Sequence, residues 1–206
     1  LVLADHATCR ALRADFGLPG DARIVLYAPT FREHQRQGWC ADLFDGLDVD
    51  ELCARLGPGW YVLVRGHSFT ARKGSTRRGG DRIRDVTGHP DVNDLYLIAD
   101  VLVTDYSSSM FDFAVTGKPI VYFTPDMARY SAERGVYFDL AECAPGPLYT
   151  DVEALAEGLR GLPALAERYR DRYAAFRGRF APWDDGHAAA RVVDAFFDTR
   201  DGRPGG

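Results

Sequence analysis

Val101-Leu102-Val103-Thr104-Asp105-Tyr106-Ser107-Ser108-Ser109-Met110-Phe111-Asp112-Phe113-Ala114 decides the fold of this chain. Val101 to Val103 reads as a short buried strand ending at Thr104-Asp105. Met110, Phe111, Phe113 and Ala114 open an apolar helix, expected over about 107–116. A strand that turns tightly into a helix is the building unit of a parallel α/β sheet. The first amides of such a helix lack intrahelical acceptors, and the helix dipole adds positive charge beside them, so anions bind there. Ser107, Ser108 and Ser109 are small enough to let an anion reach the backbone, and they offer hydroxyl donors of their own. A lone serine would be a plain N-cap. Three in a row, with Asp112 one turn further on, favour phosphate binding over the plain cap.

Working outward, strands and helices alternate. Ala4 to Phe16 reads as a helix stopped by Gly17-Leu18-Pro19-Gly20, and Ile24 to Ala28 as a strand. A helix over Asp50 to Leu56 precedes the strand Trp60 to Val64. Ile83 to Val86 is a further short strand, Asn93 caps a helical turn, and Ile120 to Phe123 follows as a strand. Strands this apolar are covered on both faces, as in parallel sheets. The segments 151–160, 163–180 and 186–198 all carry apolar residues at helical spacing, and 201–206 reads as a frayed tail.

In open parallel sheets ligands collect at the carboxyl ends of the strands. Those ends carry Pro29-Thr30-Phe31-Arg32, then Arg65-Gly66-His67, then Thr104-Asp105-Tyr106-Ser107, then Thr124-Pro125-Asp126. Cationic and hydroxyl groups recur among them, which suits an anionic ligand. His67 follows Arg65 and Gly66 directly. It can donate to a phosphate oxygen or pass a proton, or it can be a hydrogen-bonded structural histidine. His34 reads as surface, and His6, His89 and His187 lack supporting neighbours. The basic run Ala71 to Gly80 is either solvated surface or an arm gripping a polyanion or an anionic membrane. Gly117-Lys118 lacks the upstream glycine and following hydroxyl of a P-loop, and no G-x-G-x-x-G occurs. Asp184-Asp185-Gly186 could bind a metal, but capping of the following helix is the simpler reading.

Composition bounds the function. With 206 residues and 46% hydrophobic content, the chain can build one good core. A net charge of −5 argues against a nucleic-acid partner. No apolar run approaches the roughly 20 residues of a membrane span, and no signal peptide is visible. Cys9, Cys40, Cys53 and Cys143 are scattered without a C-x-x-C pair, so neither zinc nor a disulfide framework is implied and a reducing compartment fits. The first residue is Leu, which fits a piece of a longer protein.

Tyr27-Ala28-Pro29-Thr30-Phe31-Arg32, the stretch Thr104 to Ala114, and Lys118-Pro119-Ile120-Val121-Tyr122 together resemble the CDP-glycerol glycerophosphotransferase family, the teichoic acid polymerases and primases. Gly135 to Asp139, Ala144 to Pro147 and Trp183 to Gly186 agree with it, so the resemblance runs nearly the whole chain in order. It implies the donor-binding, C-terminal half of a GT-B fold over 1–200, an α/β Rossmann-like parallel sheet with a helical part at about 151–198. The implied reaction moves glycerol phosphate from CDP-glycerol to a teichoic-acid-type polymer or lipid-linked acceptor, releasing CMP. A CDP-ribitol relative, or a nucleotide-binding module without turnover, are the alternatives. Ser107, Ser108 and Ser109 are implied to hold the diphosphate and Asp112 the ribose. Thr30, Arg32, Arg65 and Asp105 belong to the donor site, and His67 stabilises the leaving group. No cofactor is implied beyond the donor itself, no metal-ligand cluster stands out, and metal dependence is left open. The general base is expected in an acceptor half that precedes this segment, and the location at the inner face of the cell membrane, as a cytoplasmic peripheral protein.

Overall fold

The computed structural model describes residues 5–30, 46–66, 80–135 and 138–197. Six strands form one sheet: β1 (Arg23–Tyr27), β2 (Trp60–Val64), β3 (Ile83–Asp85), β4 (Val101–Thr104), β5 (Ile120–Phe123) and β6 (Leu148–Tyr149). Every pairing is parallel and the spatial order is β3-β2-β1-β4-β5-β6.

Side chains of the strands alternate between two cores, as the period of a pleated strand requires. Ile24, Leu26, Leu63, Leu102, Ile120 and Tyr122 face one side. Val25, Tyr27, Val62, Val64, Val101, Val103, Val121 and Phe123 face the other. The first face is covered by α1 (His6–Asp15), α3 (Val92–Ile98), α4 (Ser109–Ala114), α6 (Leu140–Cys143) and α8 (Leu162–Phe180). The second is covered by α2 (Val49–Leu56) and α7 (Val152–Arg160), through Leu52, Cys53, Leu56, Leu155, Ala156 and Leu159. Burying each large aliphatic side chain stabilises by about 1.5–3 kcal/mol, so these two layers dominate the folding energy.

Aspartates start five of the helices. The carboxylates of Asp5, Asp48, Asp91, Asp139 and Asp151 each accept a backbone N–H from the first turn of the helix they precede. Asp91 therefore takes the capping role that the sequence suggested for Asn93; Asn93 supplies the amide, at 2.8 Å. At the other end of α3, the Lys118 ammonium donates to the carbonyls of Tyr96 (3.0 Å), Leu97 (2.6 Å) and Ala99 (2.7 Å). A cation on the last carbonyls of a helix meets both their unpaired lone pairs and the negative end of the dipole. That is the task of the Gly117-Lys118 pair, and burial pulls the Lys118 pKa down.

Four elements were not expected from sequence: a 3-10 turn (Gly80–Arg82), α5 (Met127–Arg134), the single turn α6 and the two-residue β6. The last two are too short to show a period. The helix expected over 107–116 is α4 and begins two residues later, because Ser107 and Ser108 belong to the turn. The last helix, α9 (Ala188–Phe197), buries none of its residues.

Candidate active site

The chain reverses its direction across the sheet between β1 and β4: β2 and β3 lie beyond β1, and β5 and β6 beyond β4. Connections leaving the carboxyl ends of these two strands diverge and open a crevice. Asp105 spans it. Its Oδ1 accepts from Thr30 N (2.8 Å), Thr30 Oγ1 (2.7 Å) and Tyr106 N (2.6 Å). Asp105 is only 2% exposed, so it clamps the two exits from below rather than facing the crevice. The Thr104 hydroxyl adds a second tie, donating to Ala28 O at 2.7 Å.

Above this clamp lies the serine turn. Ser107 Oγ accepts from Ser109 N (3.3 Å) and from Ser109 Oγ (3.0 Å), while Ser109 Oγ sits 3.4 Å from Thr104 Oγ1. Two of the three hydroxyls thus shape the turn. Ser108 is exposed at the start of α4 and makes no side-chain cap bond. The Ser107 and Ser108 amides have no hydrogen-bond acceptor among the described residues. Bare amides at a helix start beside a switch point form an anion-binding arrangement.

Asp112 stands on the outer face of α4, one turn after Ser108. Desolvation by neighbouring chain, then the charge of Asp184, raises its carboxyl above the ordinary aspartate range. On the α3 side, burial and then the Asp112 charge push the Tyr96 phenol up to about 12, and Arg65 opposes this.

At the β2 exit, Arg65 Nη1 donates to His89 O (2.8 Å) and Val86 O (3.4 Å), and Gly66 N donates to Thr87 Oγ1 (2.8 Å). Both residues leading to His67 are therefore fixed to the loop after β3. The Arg65 guanidinium is engaged with backbone rather than aimed at the serine turn. Arg32, His67 and nearly all of the basic run 71–80 lie outside the described residues. Thr30, Asp105, Ser107, Ser108 and Ser109 come together; Asp112 flanks them, and Arg65 lies beyond the neighbouring strand.

Sequence reasoning missed two polar groupings, and a third it read as a helix cap. Tyr106 stacks on Tyr130 with ring centroids 3.8 Å apart and planes 13° from parallel, and its hydroxyl donates to Asp126 Oδ1 at 3.1 Å. The strand-end position of Asp126 was the available signal. His89 has a partner after all, Asp94 Oδ2 at 2.8 Å from its Nε2, with Phe16 edge-on at 5.0 Å. In the turn before α9, Asp185 binds Arg191 through both carboxylate oxygens (2.8 and 2.7 Å) and accepts from His187 N (2.9 Å), which holds the turn just ahead of the helix. No cluster of three or more His, Cys, Asp or Glu arranged to hold a metal occurs among the described residues.

Residues 1–198 match the family model of CDP-glycerol:poly(glycerophosphate) glycerophosphotransferase. The chain belongs to this family. Among curated relatives, it is 34% identical over 185 residues to the teichoic acid poly(glycerol phosphate) polymerase of Staphylococcus epidermidis, covering 89% of this chain and 26% of that protein. It is 31% identical over 195 residues to the teichoic acid glycerol-phosphate transferase of Staphylococcus aureus, covering 94% of this chain and 50% of that one. The solved structure of the wall teichoic acid polymerase TagF superposes with a TM-score of 0.82 at 32% identity, over 93% of this chain and 46% of the other. The lipopolysaccharide glycosyltransferase WaaG shares the fold, with a TM-score of 0.54 at 15% identity. The six-stranded parallel sheet is the Rossmann-like, GT-B-type α/β architecture expected from the sequence, and the chain spans half or less of the length of these teichoic acid relatives.

Proposed function

We propose that this chain is the donor-binding part of an enzyme that transfers glycerol phosphate from CDP-glycerol to a teichoic-acid-type polymer or lipid-linked acceptor. The observation that supports this most is the pair of bare amides at Ser107 and Ser108, set at the β1/β4 switch point over the Asp105–Thr30 clamp. A pyrophosphate placed there meets backbone donors and a helix dipole that are already oriented and need no rearrangement as charge develops. Asp112 reaches the ribose from the outer face of α4. The acceptor hydroxyl oxygen bonds to the phosphorus that carries glycerol. The bond from that phosphorus to the bridging oxygen breaks, and CMP leaves with the bonding pair. His67 stabilises that leaving phosphate, as the family resemblance implies, and the hydroxyl proton passes to a base in an acceptor-side half. Beyond the donor, the reaction as proposed uses no organic cofactor.

The acceptor half is also part of the proposal. α9 presents Val192 and Val193 (each 53% exposed), Phe196 (79%) and Phe197 (73%), beside Trp183 (73%). So much apolar surface on one element marks an interface. The turn that leads to it carries Asp184, whose charge helps to raise the Asp112 carboxyl, so we place whatever covers α9 on the crevice side. This chain covers only 46% of the TagF chain on which it superposes, and chain of the kind that makes up the rest of that protein is our proposed cover for α9. No described helix is long and apolar enough to cross a membrane. The location proposed is peripheral, at the cytoplasmic membrane face, with the basic run 71–80 as the contact to anionic lipid. A ribitol-phosphate polymerase and a ribitol-phosphate primase are also relatives, at 30% and 31% identity; the glycerol reading leans on the 34% identical glycerol-phosphate polymerase and on the description of the matched family model. Labelled CDP-glycerol tests the reading: the 206-residue chain should bind the donor and not elongate an acceptor by itself. Vigorous transfer by this chain alone would overturn the need for an acceptor half, and preference for CDP-ribitol would overturn the glycerol assignment.

A further inference from the structure

Two cavities of about 260 and 590 Å³ lie at the amino-terminal edge of the sheet, around Pro119 and Tyr173 and around Arg13 and Asp100, away from the serine turn. A third, of about 540 Å³, opens at the carboxyl edge and shares Tyr106 and Ser108 with that turn. Its floor is aromatic: Phe111 lies 5.0 Å from Phe180 and 6.0 Å from Phe138, ring centre to ring centre, and Phe138 lies 5.3 Å from Phe180. Its rim is polar, with Ser108, the stacked Tyr106–Tyr130 pair and the Arg134 guanidinium in the last turn of α5. The size is that of a pocket for a small organic ligand, roughly 300–1,000 Å³.

The lining selects the chemistry. Aromatic faces carry negative charge density and attract the C–H-bearing side of a polyol. A guanidinium matches a phosphate diester in geometry and charge. Rings and a cation side by side suit a ligand in which short polyols alternate with phosphates. Asp112 does not line this cavity, which shares Ser108 and Tyr106 with the serine turn and so opens directly onto it. We propose that the cavity between α4, α5 and the end of α8 is the acceptor subsite, taking the terminal polyol–phosphodiester units of the growing polymer and presenting their end hydroxyl at the turn. This rests on the donor reading above, and it goes further by assigning the second substrate to named residues of this chain.

Glycerophosphoglycerol, two glycerols joined by one phosphodiester, is the probe. Calorimetric titration of the intact chain with this probe and, separately, with CDP decides the question. Arg134→Gln is the principal variant, and Phe138→Ala is a second that removes a ring instead of a charge. Each variant should weaken the probe by about 5- to 10-fold, the scale of one charge-assisted contact for Arg134 and of one aromatic contact for Phe138. CDP affinity should stay within about twofold in both. Equal losses for probe and CDP would place the cavity in the donor site and overturn the proposal. So would a wild-type chain that binds CDP but not the probe, or variants that bind the probe as the wild type does. Failure of CDP to bind the wild-type chain, with the probe still lost on Arg134→Gln, would reject the donor reading and leave this subsite standing.

Discussion

Asp105 joins two loops that are 75 residues apart in sequence, and it does so with one carboxylate oxygen receiving three donors. Removing a buried, hydrogen-bonded carboxylate strands its donors, so Asp105→Ala should cost roughly 2–4 kcal/mol of folding stability in urea unfolding. A loss near zero would show that the clamp is not structural. Asp112 behaves differently. Its folded-state pKa is raised by desolvation and Asp184. Between the unfolded value, about 3.9, and the raised folded value the native state holds more proton, so stability falls as pH rises through that window. Asp112→Asn removes this penalty. The variant should be at least as stable as wild type at pH 7 yet bind CDP more weakly by roughly 1–3 kcal/mol, the range for losing a hydrogen bond to a charged group. Unchanged CDP affinity in a folded variant would take Asp112 out of the site. Much of this site was legible in the sequence because a strand, a hydroxyl run and a helix follow each other without interruption from Val101 to Ala114. What was not legible is the use of each group. Residue type makes Asp105 and Arg65 look like ligands, and only their partners, the Thr30 amide and the His89 carbonyl, show them holding backbone.

At the level of elements, β1, β2, β4 and β5 were readable because each is a run of apolar residues buried on both faces, a pattern that survives without knowledge of its neighbours. β6 has only Leu148 and Tyr149, and it exists because Tyr122 N and Thr124 N reach the carbonyls of Pro147 and Tyr149. No local signal announces that. Its approach depends on Gly146, where an added Cβ would fall 1.7 Å from Ile120 O. Backbone cannot yield as a flexible side chain does, so Gly146→Ala should push β6 off the sheet and cost about 1–3 kcal/mol or more, read as a fall in Tm. A variant melting with the wild type would mean that the chain before β6 is free to move aside. α4 shows the converse limit: its apolar spacing marked a helix, but Ser107, accepting from the Ser109 amide, begins it two residues later than periodicity alone implied.

The described residues form a two-faced sheet with its crevice at the carboxyl ends of β1 and β4, followed at the end by a helix, α9, that buries none of its residues. Asp185, held at a pKa of about 2 mainly by its hydrogen bonds to Arg191, fixes the turn from which α9 projects. If α9 meets an acceptor half, its apolar face should behave as exposed interface in the isolated chain. Phe196→Glu with Phe197→Glu should reduce binding of a hydrophobic dye and any self-association, leaving CDP affinity unchanged; equal dye binding by wild type and variant would show that the face is covered in solution. The central claim is that a cytidine diphosphate docks on the amides that open α4. Hydrogen exchange with and without CDP measures those amides directly. The account predicts that CDP slows exchange at Ser107 and Ser108, with lesser protection at Thr30, and that UDP at the same concentration protects them less. Protection confined to another edge of the sheet, or equal protection by UDP, would contradict it.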